Sequence, residues 1–155
     1  MELADILLKD CIVGCAKVSS KRQLLQLLAQ KASDALDVDA KTVFETLMNR
    51  EKLGSTGLGN GIAIPHGKLV GLQQVLAVFV RLDNPIEFDA VDDQPVDLAM
   101  MLLAPAGSGA DHLKALARVA RLLRTESLVE KLRTSPDCEE LHSLLIAPIE
   151  DIAAA

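Results

Sequence analysis

Arg50-Glu51-Lys52-Leu53-Gly54-Ser55-Thr56-Gly57-Leu58-Gly59-Asn60-Gly61-Ile62-Ala63-Ile64-Pro65-His66-Gly67-Lys68 is the stretch on which the reading of the whole chain turns. Five of the nine glycines fall inside it, at positions 54, 57, 59, 61 and 67. Glycine at that density permits positive φ and a close approach of main-chain N–H groups to a bound anion. Among the glycines stand a guanidinium at Arg50, hydroxyls at Ser55 and Thr56, and an imidazole at His66. These are the groups that hold and exchange a phosphoryl group. The stretch reads as a phosphoryl-handling loop with His66 as the acceptor.

Nucleotide loops fail on spacing. A dinucleotide fingerprint begun at Gly57 and Gly59 needs a third glycine where Ile62 stands. A P-loop ending at Gly67-Lys68 also needs glycine at 62, and a hydroxyl where Leu69 stands.

Composition narrows the class. The net charge of −6 lacks the basic footprint of a nucleic-acid binder. Trp and Tyr are absent, and Phe44, Phe79 and Phe88 are the only aromatic rings of that kind, too few for base-stacking platforms. Cys11, Cys15 and Cys138 are odd in number and lack metal or redox spacing, which points to reduced thiols and a cytoplasmic protein. The first ten residues lack a basic region and a cleavage pattern. No apolar run reaches the roughly 18 residues that suggest membrane insertion. At 155 residues the chain is expected to be one domain, able to bury about two thirds of its unfolded surface.

Taken in order, Cys11 to Val18 reads as a first strand. Ser20 with Gln23 makes a capping box for a helix whose buried stripe is Leu24, Leu25, Leu28, Ala32 and Ala35. Asp39 caps a second helix, with Val43, Phe44, Leu47 and Met48 inward and Arg50 closing it. Ile62-Ala63-Ile64 is a brief strand that Pro65 ends. Val75 to Leu82 and Val96 to Leu103 are nearly all apolar, as in strands covered on both faces. Residues 104–109 form a flexible connector, and Ser108 caps a helix with the stripe Leu113, Leu116, Ala120 and Leu123. Two short helices follow near Ser127 to Arg133 and Cys138 to Leu145, and residues 148–155 are expected to fray. The class is α/β.

A neutral imidazole is nucleophilic near neutral pH, because its ordinary pKa is about 6.5. The competing view of His66 is a strand-end histidine that merely bonds its loop. Arg50 offers a planar fork for two phosphoryl oxygens, or simply a cation at a helix C-terminus, worth roughly 0.3–1 kcal/mol. Ser55 and Thr56 can donate to phosphoryl oxygens or serve as turn residues. His142 lies in a helix pattern and reads as structural. The three histidines lack zinc-site spacing, and no metal or cofactor is expected.

The stretch also resembles the active-site segment of the type-2 (fructose/mannitol) enzyme IIA proteins of the bacterial phosphotransferase system. The resemblance runs through Arg50-Glu51, Gly54-Ser55-Thr56-Gly57, Gly59 and Gly61-Ile62-Ala63-Ile64-Pro65-His66. It continues in Asn84-Pro85-Ile86-Glu87-Phe88-Asp89-Ala90, Gln94-Pro95-Val96-Asp97-Leu98 and Asp111-His112-Leu113. It covers the chain as one unit, with a core of about residues 4–147, and looks most like the nitrogen-regulatory subgroup. It implies a mixed β-sheet flanked by helices on both faces. It also implies that His66 takes a phosphoryl group from an HPr-like phosphocarrier, with Arg50 and a second histidine, His112, completing the site. In the first turn of a helix, His112 would face an anion and have its pKa lowered.

In the nitrogen-regulatory members the phosphorylation state regulates protein targets, including potassium-transport proteins and sensor kinases. The sequence ends at Ala155 without a IIB or IIC segment, which favours that reading. The alternatives are a sugar-specific IIA that serves a IIB cysteine, and a regulatory binding module that has lost transfer. Loss of His66 or Arg50 would have marked the latter, and both are present.

Overall fold

Two consecutive apolar runs build the centre of the molecule, whose computed structural model describes residues 2–147. The tail expected to fray, 148–155, lies outside these residues. β5 (Leu76–Ile86) and β6 (Val96–Pro105) pair antiparallel, from Leu76↔Leu103 to Ile86↔Val96. Ala77 to Val80 and Leu98 to Ala104 are fully buried, side chain after side chain. A strand can do that only when both faces of its sheet are covered.

β1 (Leu7–Ala16) lies parallel to β5 on one side. On the other side β3 (Ile62–Ala63) and β4 (His66–Leu69) lie parallel to β6, and β2 (Gly57–Gly59) pairs antiparallel with β3. The order is β1-β5-β6-β3-β2, with β4 also along β6. α2 (Lys21–Leu36) and α3 (Ala40–Lys52) pack together, α2 on β1 and β5 and α3 on β4. α1 (Leu3–Ile6), α4 (Ala110–Leu123), α5 (Glu126–Thr134) and α6 (Cys138–Ile146) form a second group, with α4 on β6 and α6 on β1. The expected mixed, helix-flanked sheet is what the chain forms. Among the described residues, no helix is long and apolar enough to cross a membrane.

Several local expectations need correction. A short helix with its own Glu2/Asp5 capping box precedes β1, which starts at Leu7 instead of Cys11 and stops at Ala16 instead of Val18. Ser20 and Asp39 do cap their helices, accepting from Gln23 N and Thr42 N. Gln23 reaches back to the amide of Ser19, not to that of Ser20. β5 runs four residues past Leu82, and α3 runs two past Arg50.

The brief strand expected over 62–64 does end before Pro65: β3 stops at Ala63, and β4 begins at His66. The register offset to β6 is the same before and after the proline (98 − 62 = 36 and 102 − 66 = 36). The Pro65 carbonyl still accepts from Leu102 N at 3.0 Å. Pro65 lies between β3 and β4, so its missing N–H costs neither strand a ladder bond.

The start of α4 is the largest correction. Gly109 is the N-cap, with φ 31°, and the Ser108 hydroxyl instead donates to the Pro105 carbonyl at 2.8 Å. The buried face is His112, Ala115, Val119, Leu122 and Leu123, and Leu113 is 67% exposed. Both stripes have helical spacing, so periodicity could not choose between them. Packing on β6 chose the one that turns His112 inward.

Candidate functional site

The site forms where the last turn of α3 meets the first residue of β4. Gly67 allows the approach: a Cβ there would stand 2.5 Å from the Thr46 methyl carbon of α3. Across this contact the Arg50 Nε–H donates to His66 Nε2 at 3.3 Å. The other ring nitrogen, Nδ1, lies 2.8 Å from the Ile64 carbonyl. A carbonyl only accepts and a guanidinium only donates. The ring is therefore a neutral Nδ1–H tautomer with its lone pair on Nε2. Burial pushes the His66 pKa below its ordinary 6.5; the Ile64 hydrogen bond opposes this, Arg50 adds to it, and Glu51 also opposes.

Arg50 also donates from Nη1 to the Gly54 carbonyl at 2.8 Å. Two of its five N–H donors are thus engaged among the described residues, and three are left for an anion.

His112 sits at the third position of α4, 6% exposed, with its ring centroid 5.6 Å from that of His66 and the planes tilted by 47°. Burial, then the charges of His66 and Lys68, hold its pKa below the ordinary value. Its Nδ1 is buried and has no hydrogen-bond partner among the described residues. Lys68 is exposed and two residues beyond His66, so both project from the same face of β4.

The hydroxyls behave differently from the sequence expectation. Ser55 Oγ donates to the Phe88 carbonyl and accepts from Gly57 N, each at 3.0 Å, so the hydroxyl is committed to the fold. Thr56 is buried and its Oγ1 lacks a partner among the described residues. The glycines are mostly turn formers and not an anion cradle. Gly59, Asn60 and Gly61 take φ of 96°, 58° and 81° in succession at the tip of the β2–β3 hairpin. Asp92 accepts from Asn60 N, and Arg133 donates to the Asn60 carbonyl, pinning that tip from two sides. A cavity of about 630 Å³ lies beside the tip, lined by Leu58, Ile62, Val129 and Arg133 among others, and none of the candidate site residues lines it.

Arg50, His66 and His112 thus come together. Ser55 is engaged with Phe88 and Gly57. His142 is buried on α6 with Nε2 2.9 Å from the Leu7 carbonyl. Sequence reasoning passed over Glu51, a buried carboxylate beside Arg50 that accepts from Thr56 N with both oxygens, at 3.2 and 3.0 Å. A signal existed: Glu51 follows Val43 and Leu47 at four-residue steps, on the buried stripe of α3.

Comparison with known proteins finds relatives of both the sequence and the fold. Residues 5–147 match the family described as phosphoenolpyruvate-dependent sugar phosphotransferase system, EIIA 2. A "Nitrogen regulatory protein" of Bradyrhizobium diazoefficiens is 51% identical over 148 residues, spanning 96% of this chain and 97% of the relative. The crystal structure of nitrogen regulatory protein IIA-Ntr from Neisseria meningitidis superposes with a TM-score of 0.88 at 38% identity, covering 92% of this chain and 98% of that one. IIA mannitol from Escherichia coli shares the fold, with a TM-score of 0.74 at 24% identity over 88% of this chain and 96% of the other.

Proposed function

The chain belongs to the EIIA 2 family of the phosphoenolpyruvate-dependent sugar phosphotransferase system, and from that premise we propose that His66 is its phosphoryl acceptor. In the step proposed, the Nε2 lone pair attacks phosphorus on the phosphohistidine of an HPr-like carrier. The new N–P bond forms as the old one breaks, and the old bond's electron pair stays with the carrier's nitrogen. The supporting observation is that both partners of the His66 ring require a lone pair on Nε2, with a cation already pointed at it.

Arg50 would turn its Nε–H from Nε2 to a phosphoryl oxygen, with its unengaged N–H groups following. His112, neutral and with an unpartnered Nδ1, supplies a further polar contact beside the same ring. Thr56 is kept as a weaker candidate for the phosphoryl oxygens. Ser55 could donate only by leaving Phe88.

His66 is half-buried and outside the 630 Å³ cavity, which suits a protein-borne phosphoryl donor better than a small molecule. Leu53, Val70 and Leu113, at 84%, 94% and 67% exposure, adjoin Gly54, Leu69 and His112 in sequence and give a partner apolar anchor points. The output proposed is regulatory, as the names of two relatives suggest, with cytoplasmic protein targets that distinguish the phosphorylated form.

Incubation with phosphorylated carrier should add one phosphate, acid-labile and alkali-stable as a phosphoramidate is. His66→Ala should take up none while keeping its fold. Undiminished labelling of that variant would remove the assignment.

A further inference from the structure

Glu51 is buried to 7% exposure, yet it lies in the last turn of α3, next in sequence to the arginine of the site. Its Oε1 pairs with Lys21 Nζ at 3.0 Å, and its side chain is 2% exposed against 20% for lysine. Lys21 also donates to the Phe88 carbonyl at 3.2 Å and stands 4.5 Å from the centre of the Phe88 ring. Replacing a buried ion pair with apolar side chains of similar volume is often neutral or stabilising. Stability alone therefore gives no reason for a pair at this place.

The hydrogen bonds lead to one. The Thr56 N–H donates to the Glu51 carboxylate. The Ile64 N–H donates to the Thr56 carbonyl at 3.0 Å. The Nδ1–H of His66 donates to the Ile64 carbonyl at 2.8 Å. Three links join the end of α3 to the far side of the reactive ring.

We propose that Glu51, held by Lys21, is a positioning residue that fixes His66, through Thr56 and Ile64, in the tautomer that leaves Nε2 unprotonated. This rests on His66 being the acceptor. The Arg50 contact to Nε2 is long at 3.3 Å, so the Ile64 carbonyl carries more of the tautomer choice. Without the carboxylate, the Thr56 N–H loses its partner, the strand entry shifts, and the Ile64 carbonyl shifts with it. The charged groups that bear on the His66 ring are Arg50 and Glu51 from α3; the neighbouring imidazole of His112 from α4 is in turn influenced by His66 and by Lys68 from β4.

The test is ¹⁵N NMR of the His66 ring at neutral pH, with phosphoryl labelling followed on the same samples. Wild type and Glu51→Gln, whose amide oxygen still accepts from Thr56, should show the Nδ1–H pattern alone. Glu51→Ala should show mixed tautomers and label at least tenfold more slowly. Because Glu51→Ala leaves Lys21 without its partner, Lys21→Met/Glu51→Met serves as the second variant; it should fold and also show mixed tautomers. A pure Nδ1–H pattern with wild-type labelling in either folded variant overturns the proposal. The tautomer readout needs no phosphoryl donor, so a wild-type protein that accepts no phosphate would count against the acceptor assignment alone.

Discussion

At the scale of single residues, the account rests on a neutral imidazole held between one acceptor and one donor. Arg50→Ala removes the donor and the main cation for the phosphoryl dianion. Hydrogen bonds to charged groups contribute about 1.5–3 kcal/mol, so rapid-quench labelling should slow roughly ten- to a hundredfold, with folding intact. Arg50→Lys should recover little, since a point charge cannot replace the fork. Ser55→Ala should do the reverse: lose about 1 kcal/mol of stability with its two hydrogen bonds and label at a rate closer to wild type than Arg50→Ala.

Both site histidines have folded pKa values below their ordinary 6.5. Below about pH 6.5 the unfolded chain takes up protons that the folded site resists, so stability should fall with pH and level off once the folded values are passed. Denaturant midpoints from pH 8 to 5 should show this slope, and it should flatten in His66→Ala/His112→Gln. The fold brings Arg50 and His66 into contact; in the sequence His66 stood out by its chemistry among glycines, whereas Arg50 read almost as well as a cation at a helix C-terminus. The engagement of Ser55 was not legible, because a hydroxyl in a turn looks the same whether it faces a ligand or the Phe88 carbonyl 33 residues away.

At the scale of elements, the site depends on how closely α3 lies on β4. Gly67→Val should push against Thr46 and part Arg50 from His66, costing about 1–3 kcal/mol as an overpacked contact does. Adding Thr46→Ala should return part of both stability and labelling rate, a coupling that a double-mutant cycle in denaturant measures. The caps at Ser20 and Asp39 were readable because a short polar side chain before an apolar stripe has one strong use. The α4 face was not, since two stripes one residue apart have the same period. Pro65 was readable as the break between β3 and β4, but the return to the same register on β6 after it was not.

At the scale of the whole molecule, the buried β5–β6 pair and the mixed sheet carry α3, β4 and α4 to a common point, although their site residues span positions 50 to 112. The two apolar runs made the core legible from sequence. The strand order was not, because pairing between β6 and the short β3 and β4 leaves no periodic trace. Phosphorylation would add about −1.5 to −2 charges at neutral pH to a molecule already at −6. A target docking an acidic face over His66 should then bind the unphosphorylated form better, and more so at low salt; titrations of both forms against a captured target check this. The most direct measurement is ³¹P–¹⁵N correlated NMR of the protein after transfer from the carrier. The account predicts a single phosphorus signal coupled to Nε2 of His66, with the Nδ1–H bond to Ile64 retained. Phosphorus on Nδ1 of His66, or on any other residue, would contradict it.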